Sequence, residues 1–198
     1  MPREPHAPAE PRAPRADAQR NRDHLLAAAA TLVAEQGTQA SLRDVARRAG
    51  VGLGTLYRHF PTREDLLEAL LGRRFEHLAA RADTLAATEP AERALTDWLH
   101  DFTLDAGAYQ GLPATLMATL SDPESALHAL CLRMRQAGGR LLAAAQREGV
   151  IRPDVTALDL FALANALSWI TDQAPTLTER RDHLFRLVLD GLRPRPRQ

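Results

Sequence analysis

Apolar residues recur along most of this chain three or four residues apart, which is the spacing of one face of an α-helix. The first such run, residues 25–34 (LLAAAATLVA), fits an amphipathic helix that ends at Gly37. Similar apolar faces return as far as residue 192, and no strand-like alternation competes with them. The pattern therefore predicts an all-α protein of about nine helices.

Two short helices joined by a tight turn are predicted next. Ser41 and Asp44 form a capping-box pattern, in which hydroxyl and carboxylate each bond a backbone N–H, so a helix should begin at Ser41. Gly50 stands where a left-handed residue can end a helix without a Cβ clash. The second helix spans 53–60 and ends there, because the residue before Pro61 disfavours the α region.

Each of these two helices has an apolar face and a polar face. The apolar faces carry Leu42, Val45, Ala46, Ala49, Leu56 and Phe60. The second helix presents Thr55, Tyr57, Arg58 and His59 on its other sides. Two short helices around a glycine-containing turn, with such hydrogen-bonding side chains on the second, are what a reader of the DNA major groove requires.

A long helix should follow from Thr62, which forms a second capping box with Asp65. Its apolar stripe consists of Leu66, Leu67, Leu70, Leu71, Phe75, Leu78, Ala82 and Leu85. A stripe of this length predicts a helix that is buried along one side.

The chain beyond residue 87 is again helical. The predicted helices span residues 92–106, a short stretch after Pro113, residues 122–149, 155–171 and 177–192. Asp122 before Pro123 gives an N-cap and first-turn signal for the third of these, and Gly138 and Gly139 inside it indicate a kink or a close neighbour. The helix over 155–171 is apolar on most of its circumference, so it needs a second surface, which a homodimer supplies.

Composition changes this picture little, but the distribution of charge matters. The 198 residues are 45% hydrophobic and 25% charged, enough for one sizeable core and a small satellite domain. The formal net charge is zero, so the whole chain gives no indication of nucleic-acid binding. Within residues 41–63, however, five arginines face one aspartate, a local net charge of +4. These arginines are Arg43, Arg47, Arg48, Arg58 and Arg63.

Both chain ends are rich in proline and arginine. Proline recurs every third residue from Pro2 to Pro14, the period of polyproline II, so residues 1–16 should form an extended or disordered arm. Its arginines either reach the minor groove or belong to a passive, solvated tail. Residues 194–198 should form a basic tail.

The single Cys131 excludes an intrachain disulfide, and no apolar N-terminal segment indicates secretion. The run over 25–34 is too short to span a bilayer. We therefore expect a cytoplasmic protein that has no membrane partner.

The run AGVGLGTLYRHFPTREDLLEAL, residues 49–70, is the most distinctive part of the chain. Together with its flanks, from Asp17 to Leu71, it resembles the N-terminal domain of the Tet-repressor (TetR) family of bacterial transcriptional regulators. The resemblance implies a three-helix helix-turn-helix DNA-binding domain over residues 17–62. It also implies a helical ligand-binding and dimerisation domain over residues 63–193.

The resemblance implies DNA contacts by Ser41, Arg43, Gly54, Thr55, Tyr57, Arg58, His59 and Arg63. Arg43 or Arg58 is expected to read guanine as a bidentate donor, whereas Tyr57 and His59 hold phosphates. Arg63 is expected to clamp a phosphate at the start of the fourth helix, where the amide groups and helix dipole favour an anion.

Ordinary structural roles compete with some of these assignments. Arg47 and Arg48 equally fit a solvated helix face, and Tyr57 also fits a packing residue with a wet hydroxyl. Gly52 and Leu53 depart from the family pattern, which has a serine cap and a polar residue there. At Leu53 a contact with a thymine methyl would replace a polar contact, so the operator sequence does not follow from relatives.

The resemblance also implies a small-molecule pocket in the second domain, bounded by helices four to eight. Candidate lining residues are Trp98, Phe102, Tyr109, Met117, His128, Cys131, Met134 and Trp169, each of which also fits an ordinary core position. His128 is the candidate polar anchor. The last two helices are implied to form a four-helix interface with their symmetry mates. Candidate interface residues are Phe161, Asn165, Leu184, Phe185 and Val188.

The implied function is a sequence-specific transcriptional regulator without a cofactor. It would be a repressor that binds a near-palindromic double-stranded operator as a homodimer and is released by a small apolar or amphipathic effector. When bound it would lie on the nucleoid. A regulator that activates or lacks a ligand, and a helical adaptor that no longer binds DNA, are the alternatives. An enzyme is disfavoured, because the sequence has no nucleophile elbow, phosphate loop or metal spacing.

Overall fold

A computed structural model of the chain describes residues 14–38, 40–107 and 122–194. These ranges contain nine helices and no strand, which confirms the all-α fold. The helices are α1 (Pro14–Gln36), α2 (Leu42–Arg48), α3 (Leu53–His59), α4 (Arg63–Thr88), α5 (Ala91–Gly107), α6 (Ala126–Arg147), α7 (Ala157–Gln173), α8 (Pro175–Thr178) and α9 (Arg181–Leu192). The predicted short helix after Pro113, with candidate pocket residues Tyr109 and Met117, lies outside the described residues.

The first three helices and the start of α4 enclose a small core, which we call the head core. It contains Leu25, Leu26, Ala29, Leu32, Val33, Val45, Leu56, Phe60, Leu66 and Leu70, among others. Gly50 adopts a φ of +70° between α2 and α3. The Gly50 N–H donates to the Arg47 carbonyl at 3.2 Å, and the Val51 N–H donates to the Ala46 carbonyl at 3.0 Å. The predicted left-handed turn is confirmed.

The long helix α4 is shared by both halves of the molecule. It begins at the predicted capping box, in which the Asp65 N–H donates to Thr62 Oγ1 (3.0 Å) and the Thr62 N–H donates to Asp65 Oδ2 (2.9 Å). Leu66 and Leu70 belong to the head core, whereas Leu71 and the buried residues after it belong to a larger second core. A displacement of α4 in one half therefore reaches the other half.

Three aromatic rings form the centre of the second core, between α5 and α7. Trp98 stacks on Phe102 with ring centroids 5.8 Å apart, and Phe161 meets both rings edge-on at 5.9 and 5.4 Å. The buried Trp98 Nε1 donates to the Leu78 carbonyl at 2.7 Å. This bond satisfies the indole N–H inside the core and fixes the ring on α4.

Gly138 allows α6 to pass directly over this cluster. A Cβ at Gly138 would lie 2.5 Å from the Trp98 ring, closer than real Cβ contacts allow. A Cβ at Gly139 would meet only Ala157, at an ordinary 3.7 Å. Of the two predicted alternatives, a kink or a close neighbour, the close neighbour is observed at Gly138.

The predicted capping box at the start of α2 is wrong in its hydrogen bonds. Ser41 is the N-cap residue, as predicted, but its side chain makes no cap hydrogen bond. Asp44 does not reach back to the cap, because its Oδ1 pairs with Arg47 Nη2 at 2.7 Å, one turn further along the helix.

The predicted start of α6 at Asp122 is also wrong. Asp122 Oδ1 accepts the N–H of Glu124 (3.1 Å) in a turn before the helix, and Ser125 caps α6 by accepting the N–H of Leu127 at 3.2 Å. The predicted last helix is divided into α8 and α9. The first difference arises where Asp122 and Ser125 compete for backbone N–H groups before the helix.

Candidate nucleic-acid interface

Helix α3 is held by its buried side and exposes the opposite side. Leu56 and Phe60 are buried in the head core. Tyr57 and Arg58 are exposed, and His59 is half-buried. Because the buried residues are four apart on a short helix, the exposed side chains have a fixed direction relative to the head core.

Gly54 and Thr55 complete the polar face of α3. Thr55 is half-buried, and a Cβ at Gly54 would meet no protein atom within 4 Å, so the surface there is open to a partner. Leu53, by contrast, packs against the head core. This placement gives Leu53 a structural role that its sequence position does not reveal.

Two of the five arginines of this region are neutralised by carboxylates. Arg48 donates two hydrogen bonds to Glu35 on α1, at 2.8 and 3.1 Å, and Arg47 pairs with Asp44. The Arg48 pair fastens α2 to α1, and the bidentate geometry makes it the better-defined ion pair of the two. Both arginines therefore fit the solvated-face interpretation.

Glu35→Gln is expected to lower the melting temperature slightly at neutral pH. Hydrogen bonding to Arg48, supported by its charge, holds the pKa of Glu35 below its ordinary value of 4.5. The stabilisation is thus fully present above pH 4.5 and is lost as the pH falls through the lower pKa of the folded state. Thermal melts of wild type and variant should converge in acid. Glu76→Gln, at an exposed position of α4, is the matched control and should change neither melt.

The other three arginines have no carboxylate partner in the described part of the chain. Arg43 is exposed on α2. Arg58 lies along α3, donating to the Gly54 carbonyl (3.2 Å) and to Thr55 Oγ1 (3.3 Å). Arg63 Nη1 donates to the backbone carbonyls of the α1–α2 turn. The positive charge of all three remains available to an anionic partner.

Four predicted pocket residues converge at the second core. Trp98, Phe102, Cys131 and Met134 are all buried there. Burial raises the pKa of the Cys131 thiol, against the opposing charge of nearby Arg135. His128 is half-buried on α6.

Trp169 lies apart from that group on the outer side of α7, where it is 55% exposed.

Within the described ranges, no cluster of His, Cys, Asp and Glu could hold a metal ion. No described helix combines the length and apolar character needed to cross a bilayer.

The predicted interface residues are divided between the inside and the surface. Phe161 and Phe185 are buried in the second core of the protomer itself, and Leu184 and Val188 pack against that core. Asn165 is exposed, with Nδ2 donating to the Phe161 carbonyl at 2.7 Å.

Three large apolar residues that are exposed on α7 and α9, Leu158, Ile170 and Leu187, were not predicted as site residues, and Trp169 was predicted only for the pocket. Leu158 is 63%, Trp169 55%, Ile170 41% and Leu187 54% exposed. Leu158 and Trp169 are three helical turns apart, so they share one exposed side of α7. The apolar circumference of this helix was the available signal, but it does not tell which side faces the core.

Two family models match the sequence. Residues 25–70 match the family described as bacterial regulatory proteins, tetR family. Residues 89–194, more than half of the chain, match the C-terminal domain described as transcriptional regulator SbtR-like.

Similar proteins are bacterial regulators. The HTH-type transcriptional repressor KstR of Mycolicibacterium smegmatis is 41% identical over 81 residues, 39% of this chain and 40% of that repressor, so the match spans about two fifths of the relative. The crystal structure of a TetR transcriptional regulator from Streptomyces coelicolor is 36% identical, with a TM-score of 0.69 over 88% of this chain and 99% of that chain. For the TetR transcription regulatory protein of Mycobacterium vanbaalenii the identity is 37% and the TM-score 0.67, over 91% and 99% of the two chains.

Proposed function

The chain belongs to the TetR family of bacterial regulatory proteins, and from this premise we propose that it is a cytoplasmic transcriptional repressor. It binds a near-palindromic operator in double-stranded DNA as a homodimer, and a small molecule releases it. Residues 17–62 form the DNA-binding domain, and residues 63–193 form the domain for dimerisation and ligand binding.

The observation that carries the proposal is the polar surface of the helices around the head core. An exposed α3 carries Tyr57 and Arg58, and two further arginines, Arg43 and Arg63, have no carboxylate partner among the described residues. A short helix of this kind enters the major groove, where arginine pairs with guanine and tyrosine or histidine holds phosphates. Ser41, Gly54, Thr55 and His59 complete the proposed contact surface.

The second copy of the chain covers the outer apolar side of α7 and α9. Leu158, Trp169, Ile170 and Leu187 expose apolar surface there, on the two helices that the family resemblance assigns to dimerisation. Asn165 lies on the same side of α7, so its amide faces the proposed interface. A two-fold axis relating the two copies would present two α3 helices to one duplex, about one DNA turn apart in regulators of this kind, and this symmetry calls for a near-palindromic operator.

The effector site that we propose borders the aromatic centre of the second core. Arg74 and Arg135 place their guanidinium groups 5.7 Å from the Phe102 and Phe161 rings, respectively, so polar groups flank an apolar wall. Such a lining suits a small apolar or amphipathic molecule. A ligand that binds one position of α4 more tightly favours that position and changes the spacing of the two DNA-binding domains. The loss of DNA affinity is then set by the difference between the ligand's affinities for the DNA-bound and the released positions of α4.

Footprinting of the purified protein on the DNA upstream of its own gene tests the proposal. We expect one protected near-palindrome, whose protection candidate metabolites then weaken. If this region gives none, a selection from random-sequence duplexes extends the search. A protein that protects no palindrome in either experiment would be a helical adaptor and not a repressor.

Arg43→Glu is expected to weaken operator binding by at least tenfold, because the guanine contact is lost, and to reduce the salt slope by at least about one unit, because the charge next to the phosphates changes from +1 to −1. Arg147→Glu is the matched control, since Arg147 is equally exposed but lies at the end of α6. The measurement is a titration of the operator duplex at several salt concentrations. Equal loss in both variants would indicate a general charge effect and count against the assigned surface.

A further inference from the structure

Arg63 holds the turn between α1 and α2 from outside that turn. Its Nη1 donates to the carbonyl oxygens of Thr38 (3.1 Å) and Ala40 (3.0 Å), which precede it by 25 and 23 residues. Both bonds are partly buried. Hydrogen bonds from a guanidinium are charge-assisted and strengthen when water is partly excluded.

In the described part of this turn, the Gly37 N–H donates to the Val33 carbonyl at 2.8 Å. After α1, the Ala40 N–H bonds to the Gly37 carbonyl at 3.1 Å. Ser41 caps α2 without a side-chain hydrogen bond, although such a bond is what usually fixes the start of a helix. The bonds from Arg63 to Thr38 and Ala40 constrain the backbone just before this cap from outside the turn.

Arg63 is itself well placed to serve as an anchor. It is the first residue of α4, directly after the complete capping box of Thr62 and Asp65. The first turn of α4 packs Leu66 into the head core. The turn before α2 is therefore bonded to a rigid helix start.

We propose that Arg63 is a positioning residue, whose two hydrogen bonds orient the start of α2, and with it Ser41 and Arg43, for base and phosphate contacts. This role is additional to any contact of its own charge with DNA. The inference rests on the proposed DNA-binding function. It also makes the α1–α2 turn follow α4 when that helix moves.

Arg63→Lys tests the role, because lysine keeps the charge but its side chain is one bond shorter and does not place a donor where Nη1 bonds the two carbonyls. In the DNA-free variant, hydrogen exchange of the Ala40 and Val45 amides should accelerate roughly tenfold. Affinity for a duplex selected from random-sequence DNA should fall roughly tenfold, whereas affinity for a scrambled duplex and the salt slope should not change.

Arg43→Lys is the matched control, because Arg43 has no hydrogen bond or ion pair of its side chain within the described residues; amide exchange should stay as in wild type. If Arg63→Lys loses operator affinity while its amide hydrogen exchange stays unchanged, Arg63 only contacts DNA directly, and the positioning role is overturned. Faster exchange with unchanged affinity would overturn it as well.

Arg63→Gln removes both the charge and the guanidinium. If amide hydrogen exchange is unchanged in this variant too, the two bonds from Arg63 do not hold the turn. Circular dichroism verifies that the variants fold. The exchange measurement needs no DNA. If wild type selects no operator, the proposed function fails and the positioning role for DNA fails with it, while the exchange data still report on the tether.

Discussion

Replacing Trp169 by glutamate is expected to convert the proposed dimer into monomers and to weaken operator binding roughly 10²- to 10⁴-fold, the range by which linking two binding modules raises avidity. Trp169 is 55% exposed in the isolated chain, so the substitution opens no cavity in the protomer. Within a dimer, however, a carboxylate in an apolar interface would be desolvated without a partner.

Analytical ultracentrifugation and operator titration measure the two effects. Leu132→Glu provides the matched control, because Leu132 is an apolar residue of similar exposure, 45%, on α6. It should leave both the dimer and the affinity intact. A Trp169→Glu protein that remains dimeric would move the interface to another surface.

Gly138→Ala is expected to lower the free energy of unfolding by roughly 1–3 kcal/mol, the usual effect of overpacking a well-packed core. The new Cβ would lie 2.5 and 2.6 Å from Cη2 and Cζ3 of Trp98. The indole has little room to withdraw, because Phe102 and Phe161 flank it and its N–H is bonded to α4. The better helix propensity of alanine, about 1 kcal/mol, offsets part of the clash.

Gly139→Ala is the neighbouring control and should be neutral or stabilising by up to about 1 kcal/mol, because its Cβ meets only Ala157 at an ordinary distance. Denaturant unfolding at one fixed protein concentration measures both variants, since dimerisation would make stability depend on concentration. Trp98→Phe removes the atoms in the clash. Combined with Gly138→Ala it should therefore show a coupling energy of roughly 0.5–3 kcal/mol, and strict additivity would argue against the clash.

Much of the structure from α2 to the start of α4 follows from local sequence alone. The capping box of Thr62, the left-handed Gly50 and the inward side of α3 all depend on residues within one or two helical turns of each other. Hydrophobic periodicity and capping describe such short-range relations well. The family-specific run over 49–70 added the class of partner, DNA, because it combines these local features in one order.

The hydrogen-bond and ion-pair partners of the arginines could not be predicted from these patterns. Five arginines look alike in sequence, yet Arg48 is bonded to Glu35 on another helix and Arg63 to a turn more than 20 residues earlier. Which of them retains free charge depends on how α1, α2 and α4 pack. The side of α7 that faces the core is decided in the same way, by the position of Trp98 and Phe102.

The sequence by itself thus determined the position of most described helices, many of their ends and the presence of two apolar surfaces on α7. Only the tertiary structure decided that Phe161 points into the core while Trp169 points outward, that Gly138 lies over Trp98, and that Arg63 supports the start of α2. The physical reason is range: helix periodicity and capping are set by neighbours along the chain. Burial, ion pairing and close helix contact depend on residues that only folding brings together.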